Sequence, residues 1–159
     1  MSLCCARPGF YARGLCPEEQ LARLDAILHD SELVDKTLIL LMHYATRNHD
    51  GSPYDVYYEC LANSNAVEAV ISAHGGRIRA IFHGHVHQGY STLLQTPRGQ
   101  VPVINPGSSG LAWNPKRQQT AHFNIVELDG TEMRIERHRY NGDTGRFERE
   151  PGEAFSSGW

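Results

Sequence analysis

The run Ile78-Arg79-Ala80-Ile81-Phe82-His83-Gly84-His85-Val86-His87 joins a short apolar stretch directly to three histidines. Its first five residues have the length and composition of a buried strand. Gly84 then loosens the chain into a turn that presents His85 and His87 at one rim of a sheet. In extended backbone residues i and i+2 point the same way, so the two imidazoles can address one metal ion or two adjacent ones. Borderline divalent metals favour imidazole nitrogen.

A second segment of the same kind lies upstream. Residues 37–42 read Thr-Leu-Ile-Leu-Leu-Met, a continuous apolar run suited to a strand covered on both faces. His43 follows it. Between the two runs come a polar, aromatic-rich connection over 44–62 and a helix. Asn65 and Glu68 suggest a capping box for that helix, Ala66, Val67, Val70 and Ile71 form its apolar face, and Gly75-Gly76 ends it. If the two strands are parallel neighbours, the right-handed crossover rule brings both C-terminal ends to one edge. Ligands bind at that edge in open α/β sheets. His43 would then converge with His85 and His87.

Further out, Pro17 opens an earlier helix with Glu18 and Glu19 in its first turn and Leu21, Leu24, Ile27 and Leu28 as its apolar stripe. Beyond the histidine turn, four strands are expected over 90–94, 101–104, 120–128 and 133–140. Asp129-Gly130 makes the last two a hairpin. Residues 1–14 read as an irregular lead-in, 15–140 as one domain and 141–159 as a loose tail. The fold class is α/β, a mixed sheet with a trailing antiparallel hairpin.

The chain of 159 residues, 40% hydrophobic and 21% charged, has enough apolar material for one globular core. A net charge of −3 leaves no polybasic footprint for nucleic acid or a membrane surface. Cys4, Cys5, Cys16 and Cys60 show no metal-ribbon spacing and suit reduced thiols. With no segment long and apolar enough to span a bilayer and no signal-peptide layout, a cytoplasmic location is the expectation.

Leu41-Met42-His43 followed by Gly84-His85-Val86-His87 resembles the fourth and fifth motifs of the calcineurin-like metallophosphoesterases. Val103-Ile104-Asn105-Pro106-Gly107-Ser108 looks like the strand and turn that commonly follow G-H-x-H there, and the helix opened by Pro17 resembles the one before the fourth motif. The resemblance runs from about residue 12 to about residue 140 and implies the C-terminal half of that α/β/β/α sandwich. By resemblance His43 and His85 would ligate one divalent ion (manganese, iron or zinc) and His87 a second, with Asn105 and Ser108 on the substrate side. The implied reaction is hydrolysis of a phosphomonoester or phosphodiester by metal-bound water.

The family's earlier motifs, D-x-H and G-D-x-x-D, do not occur before His43, and Asn48-His49-Asp50 comes after the fourth motif rather than before it. The remaining ligands would have to come from a missing N-terminal half. Two other readings stay open. One is a non-catalytic fragment or binding module that self-associates through an exposed sheet edge. The other is a mononuclear zinc hydrolase built on His43, His85 and His87. Of the remaining histidines, His83 reads as structural, His74 as a helix-end residue, and His29, His49, His122 and His138 as solvent or packing residues. Tyr54, Tyr57 and Tyr58 read as cover for a sheet edge, and Cys60 as an inert thiol.

Overall fold

The structure, a computed structural model, describes residues 2, 3, 5, 11–130 and 132–151. Two compact units divide the chain. The first runs to Val86 and resumes over Tyr90–Asn105; the second holds His87–Gly89 and the chain from Pro106 onward.

The first unit is a five-stranded sheet in the order β1-β2-β3-β5-β4 with two helices. Its strands are β1 (Ser2–Leu3), β2 (Leu38–Met42), β3 (Ile78–Phe82), β4 (Gly89–Thr96) and β5 (Gly99–Pro106), with α1 (Glu18–His29) before β2 and α2 (Ser64–Ala73) before β3. The pairs β1–β2, β2–β3 and β3–β5 are parallel. β4 and β5 are neighbours joined by a two-residue turn, a connection that only antiparallel strands allow.

α1 forms because Pro17 presets φ at −60° as its N-cap, Glu18 and Glu19 sit at the positive end, and Leu24 and Leu28 recur on one face. Those two leucines meet Val67 and Ile71 of α2, Leu40 and Met42 of β2, and Ile78 and Ile81 of β3 in one buried cluster. Burying each such side chain stabilises by about 1.5–3 kcal/mol relative to exposure. Alternation in β2 is stronger than the apolar run suggests: Leu40 and Met42 are buried, whereas Leu41 is 46% exposed. The strand therefore has one face in the core and a second face that is half-exposed at Leu41 and intermediate at Ile39.

α2 starts differently from expectation. Its N-cap is Asn63, with no side-chain cap. The Asn63 amide instead bridges the backbone of Cys16, accepting from its N–H at 2.9 Å and donating to its carbonyl at 2.7 Å. Asn65 lies inside the helix, and Glu68 pairs with Arg47, so no capping box forms.

The second unit carries an antiparallel sheet in the order β6 (His122–Asp129), β7 (Glu132–Asn141), β8 (Arg146–Arg149). Asp129 pairs with Glu132 at the end of the expected hairpin, and Gly130 adopts φ 55°. β8 occupies part of the stretch read as tail. The chain doubles back at Gly145 (φ 68°) and sets the Phe147 ring 5.0 Å from Phe123. The end of that stretch, 152–159, lies outside the described residues, as does Cys4. Cys5, Cys16 and Cys60 are buried and form no disulfide among the described residues. No helix among the described residues is long and apolar enough to cross a membrane.

Candidate functional site

Leu41 and Phe82 are register partners on parallel strands, so the segments that follow them leave the sheet at the same edge. One further backbone bond, from the Gly84 N–H to the His43 carbonyl at 3.0 Å, keeps the two segments side by side past the strand ends. The rings then meet. Nδ1 of His85 lies 3.0 Å from Nε2 of His43, with centroids 4.8 Å apart and planes at 71°. Tyr44 is buried beneath both, 4.9 Å from the His43 ring and 4.7 Å from His85. Gly14 makes room for it: a Cβ at that position would stand 2.3 Å from the Tyr44 ring.

The turn itself holds His85 in an unusual conformation. His85 has φ 66° and His87 φ 55°, while Gly84, expected to be the permissive residue, does not have positive φ. A bond from the Val86 N–H to the Gly84 carbonyl at 2.8 Å closes a three-residue γ-turn centred on His85. A left-handed non-glycine residue costs about 1–2 kcal/mol and persists only where its surroundings over-determine it. Here the Gly84 carbonyl is the anchor. Besides Val86 it accepts from the Asn105 amide at 3.3 Å and lies 3.2 Å from Nδ1 of His83. Asn105, expected on the substrate side, is thus fully buried under the turn.

Burial pushes the His83 imidazole down to about 4. A neutral His83 with its proton on Nδ1 donates to the Gly84 carbonyl, which can only accept. Its Nε2 is buried without a partner among the described residues. Between the usual value of 6.5 and about 4, the unfolded chain binds a proton that the folded chain does not. Stability therefore falls as pH is lowered through that window, by about 3 kcal/mol in full. His83→Phe is expected to flatten this part of a denaturation-versus-pH curve. Parallel curves for wild type and variant would show that the ring is not held neutral.

His87 belongs to the second unit and is exposed. Ser108, also in the second unit, accepts from the His122 N–H through its backbone carbonyl at 3.1 Å. The Asp50 carboxylate accepts from both the backbone and the hydroxyl of Ser52, which lowers its pKa, so it serves its own loop. Tyr54 is buried, whereas Tyr57 and Tyr58 are exposed and cluster with Tyr11.

Two imidazoles fit one ion. Tetrahedral zinc with nitrogen ligands at about 2.05 Å sets them about 3.3 Å apart, close to the observed approach. Among the described residues no carboxylate gathers with this pair, so the bridging group that a two-metal centre needs is not supplied by them. The one group of three potential ligands among the described residues is elsewhere: Asp25, His29 and His74, all within 4.8 Å of one another. Sequence reasoning missed it. The i, i+4 spacing of Asp25 and His29 was a usable signal, but the approach of His74 from another helix was not.

No protein-family model matches the chain, and no curated protein matches it significantly. Among solved structures it is similar to a dimetal phosphatase from Danio rerio, with 23% identity and a TM-score of 0.55 over 79% of this chain. That match covers 36% of the phosphatase, so the chain spans about a third of its length. Zinc-complexed Vps29 from Entamoeba histolytica matches over 94% of this chain and 97% of its own, with 14% identity and a TM-score of 0.39. At these identities the likeness concerns architecture, and the first match carries it. The chain has a metallophosphoesterase-type α/β fold, a mixed sheet followed by an antiparallel hairpin.

Proposed function

We propose that this chain forms part of a metal-dependent phosphoesterase, with His43 and His85 holding one divalent cation and His87 contributing to a second. The observation that carries the reading is the 3.0 Å approach of two imidazole nitrogens at the shared edge of β2 and β3. Two nitrogens at that separation share either one proton or one cation. When bound, divalent ions in such a site lower the pKa of a water and neutralise charge on a phosphoryl group. The chain's own part is positional. Tyr44 covers the inner side of the imidazole pair, Asn105 and neutral His83 fix the Gly84 carbonyl, and the γ-turn aims His85. Ser108 is assigned to the substrate side.

The carboxylate ligands would come from outside the described residues, from a preceding segment or a second chain. The half-exposed Leu41 on β2 supports such a pairing. A second reading, one zinc ion on the same histidines, is favoured by the engagement of Asp50 within its own loop.

The test loads the chain with manganese, iron or zinc. It then measures bound metal by elemental mass spectrometry, and hydrolysis of p-nitrophenyl phosphate and bis(p-nitrophenyl) phosphate. His43→Ala and His85→Ala are each expected to lose an equivalent of metal, and hydrolysis is expected to fall to background with it. His87→Ala should empty one of two ions in the dinuclear case and the only ion at this edge in the mononuclear case. Unchanged metal content and hydrolysis in His85→Ala would overturn the proposal.

A further inference from the structure

The other end of the sheet carries a separate set of ligating groups. Asp25 and His29 lie one turn apart on α1, and His74 is the C-cap of α2. Both helices end there and lead into the N-terminal ends of β2 and β3, whereas His43 and His85 follow the C-terminal ends. A five-residue strand separates the two places by on the order of 15 Å. Nε2 of His74 sits 2.9 Å from Oδ1 of Asp25, and Nδ1 of His29 lies 3.4 Å from Oδ2 of the same carboxylate. The two rings stand edge to face, with centroids 4.3 Å apart. The His74 side chain is 10% exposed, while Asp25 and His29 are open to solvent at 46% and 67%.

From this geometry we infer that Asp25, His29 and His74 bind a divalent ion of the zinc class. Two imidazoles and one carboxylate are a common donor set for zinc, and a fourth position would face water. The His29 Nδ1 also lies 3.0 Å from the Asp25 backbone carbonyl one turn back, a local bond that an ion would replace while the Asp25–His74 pair supplies the other two donors. The buried His74 fixes one corner of the site. All three donors lie within 4.8 Å of one another, and rotation of the exposed His29 ring can bring them to the tetrahedral spacing of about 3.3 Å. Bound metal cross-links the C-terminal ends of α1 and α2. This inference does not rest on the proposed phosphoesterase reading.

The experiment titrates zinc chloride by calorimetry into the full chain after chelator treatment, with thermal unfolding followed in parallel. One equivalent should persist in the His43→Ala/His85→Ala double variant. Adding His29→Ala, or Asp25→Asn, should weaken that equivalent at least tenfold. On the wild-type background each of these two substitutions should remove one equivalent from the total. Free zinc at a hundred times Kd should raise Tm by about 5 °C or more in the wild type, and His29→Ala should lose the part of that rise owed to this site. Zinc binding unchanged by His29→Ala and Asp25→Asn on the wild-type background overturns the inference. So does a folded double variant that takes up no zinc. Loss of hydrolysis in His43 or His85 variants, with zinc at His29 intact, would separate the two assignments.

Discussion

Arg47→Ala is expected to destabilise the chain by about 3–5 kcal/mol, the usual consequence of removing one partner from a buried ion pair. Arg47 grips Glu68 with both prongs of its guanidinium, donating from Nε to Oε1 at 2.7 Å and from a second nitrogen to Oε2. The side chains are only 21% and 11% exposed. Without the arginine, the Glu68 carboxylate is left in the core face of α2 with no countercharge. The pair also fixes the loop after His43. The same guanidinium reaches the Gly51 carbonyl at 3.3 Å, and the Arg47 carbonyl accepts from the Tyr90 hydroxyl at 2.7 Å. Replacing both partners, as Arg47→Met with Glu68→Leu, should recover most of the loss, because the uncompensated charge is then gone. Denaturant titration of the two single variants and the double variant checks this. A single-variant loss under about 1 kcal/mol, the scale of a solvated pair, would show that the bridge is not desolvated.

Asn105→Leu should combine a stability loss of about 1–3 kcal/mol with a 10–100-fold loss of metal affinity at His43 and His85. Leucine keeps the branching and heavy-atom count of asparagine with bulkier methyl groups, so it removes the hydrogen bonds and adds some volume at a fully buried position. The amide is fully buried and donates to the Gly84 carbonyl, and its side chain also bonds Tyr90, whose phenol burial raises to about 12. Loss of the donor frees the carbonyl that anchors the γ-turn, and with it the aim of the His85 ring. Calorimetric titration with manganese or zinc reads the affinity, and chemical denaturation reads the stability. A stability loss with unchanged affinity would reduce Asn105 to a packing residue.

Much of the first unit was legible because its strands and helices differ in period. The apolar runs at 38–42 and 78–82, and the leucines three and four residues apart in α1, say which segments are buried and how. The side-by-side exit of His43 and His85 follows from two parallel strands and one crossover. The strand at 146–149 was not legible. It is four residues long with an exposed, charged composition, and it exists because Phe147 reaches Phe123 across the sheet. The capping box failed for a related reason: Glu68 had a distant arginine to meet, and local spacing carries no information about that. The Asp25, His29 and His74 group likewise depends on where two helices end in space.

The left-handed backbone at His85 bears on how this chain would change under mutation. A glycine there would relax into the same turn at lower energy, since it has no Cβ to oppose φ 66°. At this one position, easing the backbone and keeping an imidazole beside His43 exclude each other. A variant made more stable at position 85 by glycine would therefore be one that had given up the imidazole pair.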